Sequence, residues 1–197
     1  GMGAYAPTPR LSRVEIDSAT ATVLQRVLDG MKRRNTPYRG ILYAGLMLTA
    51  DGPKVLEFNC RFGDPEAQVL LPLLESDLVD IVDACIEGHL STVKVTWASG
   101  AAATVVKASE GYPGAYPKGR SISGLQAAAE LESVRVFHAG TRVQGDDVVT
   151  AGGRVLAITG QGKNLTEALN RAYSGACLIS FEGEQMRQDV GQHLRGS

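Results

Sequence analysis

The sequence lacks the features that mark several large classes of protein. Basic and acidic side chains nearly cancel over its 197 residues, and the net charge of −1 gives no electrostatic argument for nucleic acid or a bilayer as partner. No apolar run approaches the roughly twenty residues needed to span a membrane. The start of the chain has no basic segment followed by an apolar one, so no signal peptide is visible. We therefore predict neither nucleic acid nor a membrane as a partner.

Cysteine is scarce, with three residues at Cys60, Cys85 and Cys177. The set is odd in number, is widely spaced and contains no pair at metal-ligand spacing. We predict reduced, buried thiols, which fits a cytoplasmic location.

With 44% hydrophobic residues, the chain can bury a good core and hold one or two domains. Apolar residues recur at three- and four-residue steps over 15–34, which predicts an amphipathic helix started by Asp17 or Ser18. Residues 40–49 carry almost no polar side chain, so we predict a strand buried on both faces. Asp51-Gly52 is a hairpin turn signal leading into a second arm over 54–62.

The middle of the chain, residues 67–97, is predicted to contain two helical elements and a strand. Residues 67–74 are apolar but interrupted by Pro72, which predicts a short helical element. A helix is expected over 76–90, started by Ser76 and ended by Gly88. Its predicted buried stripe is Leu78, Ile81, Val82, Cys85 and Ile86. Residues 91–97 alternate and predict a connecting strand.

From Ala101 onward the pattern changes to short strands with glycine-rich turns. We predict strands over 103–108, 134–138, 141–143, 148–150 and 154–160, and a helix over 165–176 capped by Asn164. A domain boundary is placed near residue 97. The fold class is then α+β, with a first domain over 1–97 and a small α+β or barrel-like domain over 98–197.

The run Leu56 to Glu66 is the most informative part of the sequence. On an extended backbone successive side chains face opposite ways, so Glu57, Asn59 and Arg61 share one face. The other face, with Phe58, Cys60 and Phe62, is expected to point into a core. Two oxygen ligands suit a hard cation, and an arginine suits the phosphoryl group that the cation carries. Alternation alone more often marks nothing beyond a half-solvated strand.

The residues after this strand favour a shaped site. Gly63-Asp64-Pro65 is a turn signal, because glycine permits unusual backbone angles and proline fixes its own. Asp64 and Glu66 add carboxylates that could orient an amine. Arg154, after Gly152-Gly153, could approach a phosphate together with the backbone, although a surface arginine after a turn is commonplace.

The sequence resembles glycinamide ribonucleotide synthetases (phosphoribosylamine–glycine ligases), a family of ATP-grasp enzymes. The resemblance runs through ordered markers along essentially the whole chain. They are Gly1-Met2-Gly3-Ala4-Tyr5, Tyr38 to Gly45, Leu56 to Glu66, Glu110 to Gly114, His138 to Thr141 and Gly152 to Leu156.

The resemblance implies ATP-dependent ligation of glycine to 5-phosphoribosylamine through glycyl phosphate, in purine biosynthesis. It implies ATP and Mg²⁺ as cofactors, with Mn²⁺ as an alternative metal, and Glu57 and Asn59 as metal ligands. Arg61 would stabilise charge on the transferred groups, unless it forms a structural ion pair with Asp64 or Glu66. Gly1, Gly3, Asp64 and Arg154 are the substrate-binding candidates. His138 and the Gly111-Tyr112-Pro113-Gly114 run are expected to be structural.

By the same resemblance, the sequence lacks an amino-terminal domain and the first part of the ATP-grasp region. We therefore expect negligible activity alone and expect the missing amino-terminal part of the same enzyme as a partner. Two alternatives stay open. One is a non-catalytic interaction module derived from an ATP-grasp fold, and the other is a related carboxylate–amine ligase with another amine substrate.

Overall fold

A computed structural model describes residues 1–192 as a mixed helix and strand protein with two compact units. The first unit contains residues 1–7, 64–73 and the chain from Ala98 onward, and the second contains residues 8–63 and 74–97. The α+β prediction is confirmed, whereas the barrel-like description and the domain boundary near residue 97 stay predictions.

The first unit is organised around an antiparallel sheet. Its strand order is β1 (Gly3–Ala6), β4 (Ala101–Ser109), β8 (Arg154–Gly162) and β5 (Val134–His138), and the short β9 (Glu184–Gln185) also pairs with β4. β4 is buried along its whole length because it lies inside the sheet between β1 and β8. The strands predicted over 103–108, 134–138 and 154–160 are confirmed.

Helix α6 (Leu165–Leu178) packs on this sheet and supplies much of the core. Asn164 caps it, as predicted, by accepting a hydrogen bond from the N–H of Glu167 at 2.9 Å. Its buried residues include Ala168, Leu169, Ala172 and Tyr173. Small residues let the helix approach closely: a Cβ added to Gly160 of β8 would lie 2.4 Å from the carbonyl oxygen of Ala168.

Smaller elements complete the first unit. The hairpin β6 (Thr141–Gln144) and β7 (Asp147–Thr150) confirms the two strands predicted there. The element expected over 67–74 is helix α3 (Ala67–Leu70) followed by a 3₁₀ turn (Leu71–Leu73), and it packs on β1 and β4. The prediction missed β9 and helix α5 (Leu125–Ala129), both of which are too short to show a periodic pattern.

The second unit begins with a long helical segment. It runs as α1 (Arg13–Ala19), a π-helical stretch (Thr20–Gln25) and α2 (Arg26–Arg33). The predicted caps were wrong, since Ser12 begins the helix in a reciprocal capping box with Glu15. The helix therefore begins two residues before residue 15, where the predicted helix began because the apolar pattern starts there.

The hairpin of β2 (Tyr43–Thr49) and β3 (Gly52–Asn59) carries the metal-ligand candidates, and its turn at Asp51-Gly52 is confirmed. The predicted double burial of β2 is wrong, because its last three residues are exposed. The prediction that the other face of β3 is buried is also wrong, because Phe58 is 40% exposed and Cys60 is exposed. Two strands form a sheet too small to cover both of its own faces.

Helix α4 (Leu78–Glu87) starts at Asp77, one residue after the predicted cap, and ends at Gly88 in a left-handed conformation, as predicted. Its predicted buried stripe is wrong, since Val82 and Ile86 are exposed. Instead of a strand over 91–97, a 3₁₀ turn (Leu90–Thr92) is followed by a single bridge between Leu74 and Trp97.

The three thiols are free, but the prediction that they are buried is wrong for Cys60 and Cys177, which are exposed, and Cys85 is half-buried. Within residues 1–192, no helix combines the length and the apolar character that crossing a membrane requires.

Candidate functional site

Glu57 and Asn59 lie side by side near the end of β3. The amide Nδ2 of Asn59 donates a hydrogen bond to Oε1 of Glu57 at 3.0 Å, so the two side chains share one face, as the alternation predicts. Both side chains are within the second compact unit. A carboxylate and an amide at this separation can present oxygen atoms to one cation, since the amide oxygen lies on the same group as Nδ2.

The hairpin register makes room for this pair. Gly45 on β2 lies opposite Glu57, and a Cβ added to Gly45 would come within 3.3 Å of the Cγ of Glu57. A β-bulge follows, because Leu46 pairs with Val55 and Leu56 has no opposite residue. Bulges re-aim side chains and are frequent beside active sites. Gly45 and the bulge therefore position Glu57.

The direction of the Arg61 side chain is not fixed by strand alternation, contrary to the prediction. β3 ends at Asn59, so the period of two no longer fixes the direction of Arg61. Its Nη1 donates to the carbonyl oxygen of Phe62 at 2.7 Å, and the residue is exposed. Its predicted role at a phosphoryl group stays a prediction.

The donors at Glu57 and Asn59 fit a magnesium ion that keeps water and phosphate oxygens as its other ligands. Among the described residues 1–192, no group of three or more His, Cys, Asp or Glu side chains is arranged to hold a metal. A closed, all-protein cage is therefore absent from this part of the chain, and magnesium rarely needs one, since it binds through one or two carboxylates plus substrate phosphates.

A second cluster lies within the first unit and joins three of the four substrate-binding candidates. Nη2 of Arg154 pairs with Oδ2 of Asp64 at 2.7 Å. Nη1 of the same guanidinium donates to the carbonyl oxygens of Asp64 at 2.9 Å and of Gly1 at 3.0 Å. The structure thus brings Gly1, Asp64 and Arg154 together, although their role toward a substrate stays a prediction.

Gly3, the fourth candidate, allows close packing in the edge strand β1. An added Cβ would lie 2.7 Å from Cγ2 of Val190 and 2.9 Å from the carbonyl oxygen of Thr104. A larger residue would push the segment around Val190 away from the sheet. Its observed role is therefore to let two backbone segments approach.

The glycine-rich run at 111–114 is a turn, as expected, and Tyr112 within it packs on Gly153. A Cβ on Gly153 would come within 2.2 Å of Cδ2 of Tyr112. This contact holds the turn against the residue that precedes Arg154. His138 ends β5 and shares a hydrogen bond of 2.9 Å with Oγ1 of Thr141, which agrees with a structural histidine.

Sequence reasoning missed a group of residues near the end of the described chain. The hydroxyl of Tyr173 on α6 donates to the carbonyl oxygen of Arg187 at 3.0 Å and accepts from the N–H of Val190 at 3.1 Å. Arg187 pairs with Asp189 through Nε at 2.6 Å and also through Nη2. This pairing lowers the pKa of Asp189 and raises that of Arg187. The signal in the sequence was the Arg-x-Asp spacing, which needs no regular element to bring the charges together.

The comparisons with known proteins decide the family. Residues 1–67 match the model of the phosphoribosylglycinamide synthetase ATP-grasp (A) domain, and residues 102–193 match that of the phosphoribosylglycinamide synthetase C domain. The chain belongs to the phosphoribosylglycinamide synthetase family. His193 and the residues after it lie outside the described part of the chain.

Proteins similar to this chain include a trifunctional purine biosynthetic protein and phosphoribosylamine–glycine ligases. The chain is 55% identical over 192 residues to a trifunctional purine biosynthetic protein (adenosine-3) of Gallus gallus, covering 97% of this chain and 19% of that protein. It is 48% identical over 197 residues to a phosphoribosylamine–glycine ligase of Nostoc, covering 98% and 46%. The chain thus spans about half the length of the phosphoribosylamine–glycine ligases that it matches.

A solved structure shares the fold. The crystal structure of a phosphoribosylamine–glycine ligase from Thermotoga maritima is 34% identical, with a TM-score of 0.83, over 96% of this chain and 46% of that one. The predicted resemblance to this ATP-grasp family is therefore confirmed.

Proposed function

We propose that this chain is part of a ligase that joins glycine to 5-phosphoribosylamine, giving glycinamide ribonucleotide, ADP and phosphate. The observation that carries the proposal is the Glu57–Asn59 pair on β3, 3.0 Å apart, within the segment that matches the family's ATP-grasp model. The names of the relatives supply the substrates.

In the proposed reaction, the carboxylate of glycine accepts the γ-phosphoryl group of ATP, and the amine of phosphoribosylamine then displaces phosphate. Bound Mg²⁺ would neutralise charge on the triphosphate. Glu57 and the amide oxygen of Asn59 hold that ion, with Gly45 keeping the space for Glu57. Arg61 supplies positive charge to the transferred phosphoryl group.

The remaining candidates bind substrate. Asp64, Gly1 and Arg154 form one hydrogen-bonded cluster, so a ligand that contacts any of them meets a fixed arrangement. Asp64 is 46% exposed at its side chain and can approach an amine, with Arg154 orienting its carboxylate. Gly3 allows the tight packing behind this cluster.

The second unit supports a further part of the proposal, a partner that is the amino-terminal part of the same enzyme. Large apolar side chains are exposed on both strands of its hairpin and on α4, among them Leu56, Phe58, Val79, Val82 and Ile86. Exposed apolar surface of this extent marks an interface. The longer relatives contain additional chain that could cover it.

The test measures ADP formation by the 197-residue chain mixed with the amino-terminal portion of a family ligase. We expect ADP only when both glycine and phosphoribosylamine are present, and negligible turnover by the chain alone. ADP formation that follows a different amine would favour the related-ligase alternative. Indifference to nucleotide with retained binding of the amino-terminal portion would favour the non-catalytic module.

The matched variants are Glu57→Gln and Asp51→Asn. Both remove one negative charge from the same hairpin, but Asp51 lies in the turn at the opposite end of β3 from Asn59. We expect Glu57→Gln to lower the rate at least about a hundredfold at fixed Mg²⁺. Asp51→Asn should leave it within about twofold. Equal effects of the two substitutions would contradict the metal assignment.

A further inference from the structure

The sheet of the first unit ends in a strand with one unpaired side. Strand β5 pairs with β8, and among the described residues no strand or isolated bridge pairs with its other side. Such an edge is a template for pairing with another chain unless proline, a bulge or charge prevents it. The sequence of β5, Val-Arg-Val-Phe-His, contains no proline, and its register with β8 shows no bulge. The outer side of β5 is therefore available to a further strand.

The register with β8 shows which backbone groups of β5 face outward. The N–H of Gln161 donates to the carbonyl oxygen of Ser133 at 2.9 Å. Beyond the other end of β5, the N–H of Ala139 donates to the carbonyl oxygen of Val155 at 3.0 Å. Hydrogen-bonded pairs alternate along an antiparallel ladder, so the odd-numbered residues of β5 are those that bond to β8. The N–H and C=O of Val136, at the centre of the strand, therefore point away from the sheet.

A groove of about 490 Å³ runs beside this edge. It is lined by every residue of β5 and, on helix α5, by Leu125, Gln126 and Ala129. Leu125 and Val136 pack against the same core cluster, so α5 lies on the face of the sheet to which Val136 points. A strand added to β5 thus finds backbone partners along its side and an apolar helix on one face. Strand addition of this kind takes its affinity from main-chain hydrogen bonds and its specificity from side chains.

Arg135 and Phe137 lie on the opposite face of β5 from Val136. Arg135 is exposed and, within residues 1–192, forms no ion pair, while Phe137 is half-buried. A guanidinium is attracted to the face of an aromatic ring, so each side chain suits the other as a partner on a facing strand. An occupant of this edge should therefore offer a ring opposite Arg135 and a cation opposite Phe137, as a second β5 does.

Charge selects the register in which two β5 strands can pair antiparallel. Outward-facing groups must meet outward-facing groups, so neighbouring registers put Arg135, Val136 or Phe137 opposite its own copy. With Arg135 opposite Arg135, like charges face each other, which is destabilising. With Phe137 opposite Phe137, each Arg135 faces Ala139 and stays unpaired. With Val136 opposite Val136, each Arg135 lies opposite Phe137 of the other copy, and both cations gain a ring.

We infer that β5 pairs antiparallel with β5 of a second copy of this chain, about a twofold axis at Val136. Each Val136 donates its N–H to the carbonyl oxygen of the other Val136, and each His138 N–H donates to the carbonyl oxygen of the other copy's Val134. The N–H of Val134 is not needed, because it already donates to the carbonyl oxygen of Leu131 at 3.3 Å. The interface uses the same surface on both copies, so it closes as a dimer and leaves no edge for a fibre.

The Arg135–Phe137 contacts fall at the favourable positions of this ladder. Residues that flank the Val136 pair form non-hydrogen-bonded pairs, whose side chains approach most closely. Each dimer contains this contact on both sides of the axis. Arg135 and Phe137 therefore determine which strand β5 accepts, while the backbone supplies the pairing.

Sedimentation velocity of the 197-residue chain over a series of concentrations tests for the dimer. Arg135→Glu should raise the dimer dissociation constant at least about tenfold, because both cation–ring contacts are replaced by carboxylates facing rings. Arg142→Glu makes the same charge reversal at an exposed position of β6 and should leave the constant within about twofold. A chain that stays monomeric throughout would overturn the inference. Association that Arg135→Glu leaves unchanged would also overturn it, since the contact would then lie elsewhere.

Mixing two variants tests the register. Arg135→Glu and Phe137→Arg each lose the favourable contacts in their own dimers, but a mixed dimer has one Glu–Arg ion pair and keeps one Arg135–Phe137 contact. The mixture should associate at least about tenfold more tightly than either variant alone. Tighter association of Arg135→Glu with the unmodified chain than of the unmodified chain with itself would place Arg135 opposite Arg135 and overturn the register. Circular dichroism checks that both variants fold, and if Phe137→Arg does not, the comparison of Arg135→Glu with Arg142→Glu still decides.

The amino-terminal portion of a family ligase is the competing occupant of this edge. Strand β5 belongs to the first unit, whereas the apolar surface assigned above to that portion belongs to the second. Sedimentation of the chain with the added portion should therefore show a complex with two copies of each component. A complex with one copy of each, unaffected by Arg135→Glu, would overturn the inference. A complex with one copy of each that Arg135→Glu weakens would also overturn it, in favour of the amino-terminal portion as the occupant of β5.

Discussion

Arg154 and Asp64, ninety residues apart in the sequence, form an ion pair with 2.7 Å between Nη2 and Oδ2. The same guanidinium also holds the carbonyl oxygen of Gly1. The side chain of Arg154, the first residue of β8, therefore hydrogen-bonds two segments from earlier in the sequence, at Gly1 and at Asp64. The pair belongs to the first unit, whose members come from three separate stretches of sequence.

A double-mutant cycle tests this pair. Arg154→Gln, Asp64→Asn and the double variant should reveal a coupling of about 1 kcal/mol in urea unfolding, the upper range for partly exposed ion pairs. A coupling near zero would show that the contact does not fasten the segments. Arg142→Gln, at an exposed position of β6, serves as a control and should not couple to Asp64.

Lys107 is buried within β4, with 1% of its surface exposed, and pairs with Glu184 at 2.7 Å while also donating to the carbonyl oxygen of Ile179. Lys107→Ala should lower the free energy of unfolding by about 3 kcal/mol, because it strands the partners of a buried charge. Lys163→Ala, at an exposed site, should change it by less than about 0.5 kcal/mol. Chemical denaturation checks both values, and a similar small loss for both would contradict the account.

Two glycine substitutions should change stability in opposite directions. Gly160→Ala places a Cβ 2.4 Å from a carbonyl oxygen of α6 and should destabilise the first unit by about 1–3 kcal/mol. Gly30→Ala lies inside α2, where, apart from the backbone of the helix itself, Nη2 of Arg33 is the nearest atom to an added Cβ, at 3.9 Å, and the substitution should stabilise that helix by about 0.5–1 kcal/mol. Thermal unfolding of both variants measures the contrast, which a shift of the same sign in both would refute.

Glu15 should titrate below the ordinary range for a glutamate, because hydrogen bonds from the side chain and backbone of Ser12 stabilise its carboxylate and lower its pKa. A lowered pKa in the folded state means that this contribution to stability is present above the pKa of the unfolded chain and is lost as pH falls. An NMR titration should show the low pKa in the unmodified chain and a rise in Ser12→Ala. Ser18→Ala should leave the pKa of Glu15 unchanged.

The sequence predicted the strands of the first unit well, because short alternating runs between glycines leave little freedom in where a strand ends. Burial in the second unit could not be predicted in the same way. Apolar residues such as Phe58 and Ile86 indicate that a face is covered, but they do not show whether the covering residues are in this chain. The helix cap at Ser12 was missed because the apolar period begins after it.

Some contacts of the candidate site could likewise be predicted from a local sequence pattern, and others could not. The Glu57–Asn59 pair follows from strand alternation, which is local, and its hydrogen bond was foreseeable. The Asp64–Arg154 contact joins residues 90 positions apart and the Tyr173–Arg187 contact joins residues 14 positions apart, and no helical or strand period encodes either. Arg61 shows the limit of alternation, since the strand ends two residues before it.

Glu57 and Asn59 are proposed to bind the metal of a metal–nucleotide complex. The most direct measurement adds Mn²⁺ and ATP to the chain complemented by the amino-terminal portion, and follows paramagnetic broadening of the Asn59 side-chain amide by NMR. We expect strong broadening at Asn59 that is lost in Glu57→Gln and kept in Asp51→Asn. A sharp Asn59 amide in the presence of bound Mn²⁺–ATP would contradict it.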